Sequence, residues 1–201
     1  MNNYSVIFAT MRTKDDAKVA AIYNATLTLV KERGLAGVTM GDISKAASIA
    51  TGTLYIYFKN KEELIKELFW ECRDQSAKKY FEALEPEASF EERLRLIFQN
   101  IAHFKMIRFE VSAFLEQTYH SPFVCLTDLK KKQTALKPLF DLLDEGIASK
   151  KLKDVDTDTL ISFLFGTINE MVKRAHFSGK KLSKEKVQQV YMLFWDGIRM
   201  R

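Results

Sequence analysis

Residues 39–63, TMGDISKAASIATGTLYIYFKNKEE, constrain the fold of this chain more than any other stretch. Their pattern predicts two short helices near 40–47 and 51–58, joined by a tight turn, then a longer helix starting at Lys61. Thr39 with Asp42 is a helix-start signature, a hydroxyl and a carboxylate that close orphan N–H groups. Asn60 with Glu63 repeats it. In the second short helix Leu54 and Phe58 lie four apart and share one face. At about 100° per residue, Gly52, Thr53 and Ile56 fall opposite, with Tyr55 and Tyr57 on either side of Ile56. Such a helix buries one edge and presents a small, smooth face flanked by two phenols. That shape suits base edges in a major groove, with the hydroxyls reaching phosphates.

The rest of the chain reads as helix nearly throughout. Eight glycines and three prolines in 201 residues leave little room for strand-and-turn architecture, and apolar periodicity is helical. We therefore expect an all-α protein of about nine helices. The first runs from Asp15 to Arg33 with Ile22, Thr26, Leu29 and Val30 inward and Gly34 as its stop. The fourth runs from Lys61 to about Leu84; its length carries it out of the head and into a body. Ser89 and Glu92 open the fifth, whose stripe is Leu94, Ile97, Phe98, Ile101 and Phe104. A sixth lies near 106–118. A seventh, near 126–149, contains Pro138, which should kink or divide it. Asp156 or Thr157 caps the eighth, and Ser183 caps the ninth.

At this point residues 22–68 resemble the DNA-binding domain of the TetR family of bacterial transcriptional regulators. The matching pieces are Ile22, Ala25, Leu29 and Gly34, then VTMGDISKAAS, then TGTLYIYFKNKEELIKELF. The resemblance implies a three-helix head with a helix-turn-helix, read here as residues 15–62 after an arm at 1–14, and a helical body at 63–201. It implies a homodimer that reads a palindromic operator and a body that binds a small molecule. By position it assigns DNA contact to Thr39, Met40, Gly41, Ala50, Thr51, Gly52, Thr53, Tyr55, Ile56, Tyr57 and Lys61. The chain departs from the family pattern at Ser48, where glycine is usual, at Gly41, where a charged or polar side chain is frequent, and at Ile56, where a polar or aromatic residue is frequent.

Charge agrees with that assignment. Residues 1–61 carry eight basic and four acidic side chains, so most of the net +5 lies in the head. No apolar run is long enough for a membrane span, and no signal-peptide pattern is present, so the expected location is cytoplasmic. Cys72 and Cys125 read as reduced core thiols, and the three histidines share no ligand spacing, so neither metal nor cofactor is expected. No catalytic constellation is visible, and the chain reads as a non-enzyme.

YMLFW at 191–195 is five apolar residues in a row, ISFLF at 161–165 has four apolar residues in five positions, and five positions wrap about 400° of a helix. One buried face does not need so many. A dimer face on the last two helices is therefore expected, at Leu164, Ile168, Tyr191, Phe194, Trp195 and Ile198. A mostly apolar or aromatic effector is expected among Phe98, His103, Phe114, Gln117, Phe165 and Asn169; ordinary core packing is the competing reading for each aromatic. Two other functions stay open: a DNA-binding regulator controlled by a protein partner, and a helical lipid carrier or enzyme with a vestigial head.

Overall fold

The computed structural model describes residues 14–124 and 133–200. The expected arm, apart from Lys14, lies outside them, as do Cys125 and positions 126–132 of the expected seventh helix. The described residues are all-α, with nine α-helices and no strand beyond an isolated antiparallel bridge between Leu152 and Arg199. We number them α1 (Lys14–Arg33), α2 (Met40–Ala46), α3 (Thr51–Tyr57), α4 (Lys61–Tyr80), α5 (Phe90–Ile107), α6 (Phe109–Tyr119), α7 (Lys137–Ala148), α8 (Thr157–Phe177) and α9 (Lys184–Ile198).

The chain forms two compact units. One holds the described residues up to 75 together with 110–124, and the other holds 76–109 and 133–200. The division between these units falls inside α4, and α6 from Glu110 onward belongs to the same unit as α1–α3.

In the first unit, α1 carries Asp15 and Asp16 in its first turn and Lys31 and Arg33 in its last, matching the helix dipole. Ile22, Leu29 and Val30 are buried, and buried Thr26 donates its hydroxyl to the Ile22 carbonyl at 2.8 Å. Gly34 ends the helix at φ +74°, donating its N–H to the Val30 carbonyl. The Thr39–Asp42 capping box forms in full: the Asp42 N–H donates to Thr39 Oγ1 at 3.2 Å and the Thr39 N–H to Asp42 Oδ2 at 3.0 Å. Past α2 the Ile49 N–H returns to the Ser44 carbonyl at 3.0 Å, around Ser48 at φ +56°. This is a glycine-type helix end made with serine, at a cost of about 1–2 kcal/mol for the left-handed residue. Asn60 caps α4 by accepting the Glu63 N–H at 2.9 Å, but the Glu63 carboxylate accepts from Lys59 N–H rather than Asn60. α4 stops at Tyr80, short of the expected Leu84. A turn follows it, with Ala83 at φ +58°.

In the second unit, α5 packs against α7, α8 and α9. The Ser89–Glu92 box forms at its start, and the whole expected stripe from Leu94 to Phe104 is buried. Phe98 packs on Tyr191 and Phe194 with ring centroids 5.4 Å from each. α6 begins at Phe109, three residues later than expected, because the chain leaves helical geometry at Arg108. The expected seventh helix is divided next to Pro138, into a 3-10 helix at Gln133–Leu136 and α7. Pro138 sits in the first turn of α7, where its missing N–H would have had no helical partner. Asp156 caps α8 through the Thr159 N–H at 2.8 Å, and Ser183 caps α9 through the Lys186 N–H at 3.2 Å.

Gly146 of α7 is required by close approach. A Cβ there would lie 2.6 Å from Phe90 Cζ and 2.7 Å from Leu152 Cδ1, both on buried side chains. Gly146→Ala should therefore destabilise the protein by about 1–3 kcal/mol, although alanine is the better helix former. Urea unfolding measures it; a stability equal to or above wild type would show that α7 has room to move.

Candidate nucleic-acid interface

α3 buries one edge and exposes the other. Leu54 and Phe58 are 0% and 2% exposed, and Phe58 packs on Tyr23 at 5.8 Å between centroids. Enclosing these two side chains contributes about 1.5–3 kcal/mol each and fixes the helix rotation. On the opposite side Ile56 is 80% exposed and Tyr55 49%. Gly52 is exposed as well, and a Cβ built on it meets nothing within 4 Å. Nothing in the chain's own packing requires glycine at 52. The result is a smooth surface bearing a nearly bare isoleucine, which costs stability in water and suits contact with another surface.

The other expected DNA contacts are placed unevenly. Thr39, Gly41, Ala50 and Thr51 are exposed. The Thr39 hydroxyl is held in its capping box, and Thr51 Oγ1 shares a 2.9 Å hydrogen bond with Ser44 Oγ, which ties α3 to α2. Thr53 is half-buried. The Tyr57 hydroxyl donates to Asp15 Oδ1 at 2.9 Å, and that bond holds the phenol above its ordinary pKa. Met40 needs correction: it is buried, because the first residue of α2 faces the core beside its cap.

Lys61 has a partner far away in sequence. Its ammonium donates to the Leu35 carbonyl at 2.7 Å and lies 5.9 Å from the centre of the Phe123 ring. Burial pushes this lysine below its ordinary pKa. The Leu35 N–H in turn donates to Gln117 Oε1 at 2.9 Å. One residue in the α1–α2 loop, Leu35, is thus held through both its carbonyl and its N–H, by the start of α4 and by α6. Sequence spacing gave no signal for either bond. Lys45 and Lys59, counted only in the charge of the head, are exposed at the end of α2 and just beyond α3.

The expected effector residues fall in both units. Phe114, fully buried, and Gln117, committed to Leu35, belong to the first. In the second, Phe98 is fully packed, His103 is exposed, and Phe165 and Asn169 are half-buried. A surface cleft of about 230 Å³ in the second unit is lined by Leu84, Pro86, Arg93, Pro138, Leu142 and Glu145 among others, and touches none of the six.

The expected dimer residues require a correction of register. Leu164, Ile168, Tyr191, Phe194 and Ile198 are at most 4% exposed within their own chain; Trp195 is half-buried. They face inward because α5 lies against α8 and α9 there. The outward stripe of α8 is Phe163, Gly166, Glu170, Arg174 and Phe177, and that of α9 includes Leu193 and Gly197, with Met200 exposed just beyond the end of α9. Phe177 is 79% exposed, Leu193 74%, Met192 50% and Phe163 46%.

Among the described residues no group of His, Cys, Asp and Glu is arranged to hold a metal ion, and no helix is long and apolar enough to cross a membrane.

Comparison with known proteins bears on the same regions. Residues 22–68 match the family described as "Bacterial regulatory proteins, tetR family", and residues 89–199 match "Tetracyclin repressor-like, C-terminal domain". The HTH-type transcriptional repressor KstR2 of Mycolicibacterium smegmatis is 30% identical over 173 residues, 82% of this chain and 82% of that protein. The fatty acid metabolism regulator protein of Bacillus subtilis is 29% identical over 160 residues, 77% of this chain and 81% of that protein. Among solved structures, a TetR family transcription regulator from Marinobacter aquaeolei has a TM-score of 0.88 at 26% identity, over 95% of this chain and all of that one. The fatty acid degradation regulator FadR from Bacillus halodurans has a TM-score of 0.70 at 25% identity, over 96% and 100%.

Proposed function

The chain belongs to the TetR family of bacterial transcriptional regulators, and on that premise we propose that it is a homodimeric repressor released from a palindromic operator by a small, mostly apolar molecule. The observation that carries this reading is the outward face of α3, where Gly52 and Ile56 are held toward solvent by the burial of Leu54 and Phe58. Ile56 suits contact with a thymine methyl, Gly52 permits close approach, and exposed lysines at 45 and 59 supply charge for phosphates. Tyr57 and Lys61 reach phosphate by exchanging their present partners, Asp15 and Leu35, for DNA oxygens.

The outward stripes of α8 and α9 carry the dimer contact. Two α3 helices then read successive major grooves about 34–36 Å apart. An effector that favours a different position of α6 moves the Leu35 peptide through Gln117 and so turns the head. A coupling of about 1–3 kcal/mol gives 5- to 150-fold release. The relatives named for fatty acid metabolism and degradation support an apolar effector.

Selection of bound duplexes from a random library by the purified full chain tests the proposal. We expect a palindrome with half-sites about 10 bp apart, bound at least about 10³-fold more tightly than random DNA. Enrichment of no sequence would contradict it and favour a vestigial head.

A further inference from the structure

We propose that Arg73 is the anchor for a carboxylate on the effector, so that the molecule sensed is an apolar acid rather than a neutral apolar compound; this rests on the effector-controlled reading above. Arg73 lies on α4 in the first unit, with its guanidinium 5.5 Å from the centre of the Trp70 ring. Its Nη1 is enclosed and has no hydrogen-bond partner among the described residues. Buried guanidinium N–H groups are rarely left so, because the desolvation cost is then uncompensated. Burial lowers the Arg73 pKa, and the groups acting in the other direction are Asp74, the next residue, and the phenol of Tyr119. Arg93 differs in having an acidic partner: its Nε is likewise buried without a hydrogen-bond partner among the described residues, but its Nη2 meets both carboxylate oxygens of Glu145, at 2.6 and 2.8 Å.

The phenol of Tyr119, on α6 in the same unit, is close enough to act on the Arg73 charge. An enclosed guanidinium edge against an indole ring and near a phenol is suited to a planar acceptor. One guanidinium matches one negative charge, and its fork fits the two oxygens of a carboxylate. An acid bound there would touch α4 and α6, the two helices that hold Leu35 through Lys61 and Gln117.

The test is calorimetry on the full chain with straight-chain acids from octanoate to hexadecanoate, each below its micellar range and each against the alcohol of equal length. Wild type should bind at least one acid about 10- to 100-fold more tightly than its alcohol. Arg73→Met should remove that preference, leave alcohol binding unchanged, and melt no lower than wild type, since it removes an unpaired buried charge. Should Arg73→Met fail to fold, Arg73→Lys keeps the charge without the fork and should show an intermediate preference. Equal affinity for acid and alcohol, an undiminished preference in the variant that folds, or no acid bound up to about 1 mM would each overturn the proposal. Operator release is scored separately. Acid binding without release leaves this site standing and removes its role as inducer site. Release by neutral compounds alone overturns the carboxylate site and leaves the repressor reading intact.

Discussion

Gly52→Leu should abolish operator binding while leaving the protein folded. Residue 52 lies in the first turn of α3 on its exposed side, and a Cβ there has no neighbour within 4 Å. The head has no steric objection to leucine, and leucine is the better helix former by up to about 1 kcal/mol. The melting temperature should therefore match or exceed that of wild type. A docked groove has no such room: the added side chain stands between α3 and the base edges. We expect affinity for the selected operator to fall about 10³-fold or more, to the level of random DNA. Fluorescence anisotropy with labelled duplex measures it. Wild-type affinity in a folded Gly52→Leu protein would mean that this face of α3 does not meet DNA.

Leu193→Glu should give a folded monomer. Leu193 is 74% exposed on the outward stripe of α9, so a carboxylate there is solvated in the single chain and buried only against a partner. Sedimentation should show one chain, melting should stay cooperative, and operator affinity should fall about 10²–10⁴-fold through loss of the second half-site. Phe194→Glu makes the contrast. Phe194 is 1% exposed and lies 5.4 Å from the rings of both Phe98 and Phe163, so the charge would enter the core and unfold the second unit. A Leu193→Glu chain that remains dimeric would move the interface elsewhere.

The difference between neighbours 193 and 194 marks how far the sequence could be read. Five apolar residues in a row do require apolar environments all round a helix. They carry no information on which residue faces the chain's own core and which faces outward, because every direction is filled. Only the packing of α5 against α8 and α9 decides that, and it turns Phe194 inward. Where periodicity is interrupted the reading succeeds. Leu54 and Phe58 stand alone among small and polar neighbours, and both are buried. The local caps at Thr39, Ser89 and Ser183 follow for the same reason: each involves groups three residues apart.

Contacts across long separations were not legible. Lys61 reaches a carbonyl 26 residues earlier, and Gln117 accepts from an N–H 82 residues earlier. The helix dipole disfavours a cation at the start of α4, where Lys61 stands; in the folded chain the Leu35 carbonyl offers it a negative pole. The expected break near Pro138 is present, and the proline stands in the first turn of the new helix rather than at the end of the old one. The orphaned Nη1 of Arg73 has no sequence signature at all, since an arginine on a helix is ordinarily solvated.

The claim that two α3 helices dock in successive major grooves is tested most directly by hydroxyl-radical footprinting of the full chain on its selected operator. The account predicts two protected windows centred about 10 bp apart on one face of the duplex, related by the two-fold axis of the palindrome, and both lost in Gly52→Leu. A single window, uniform protection along the fragment, or a pattern unchanged by Gly52→Leu would contradict it.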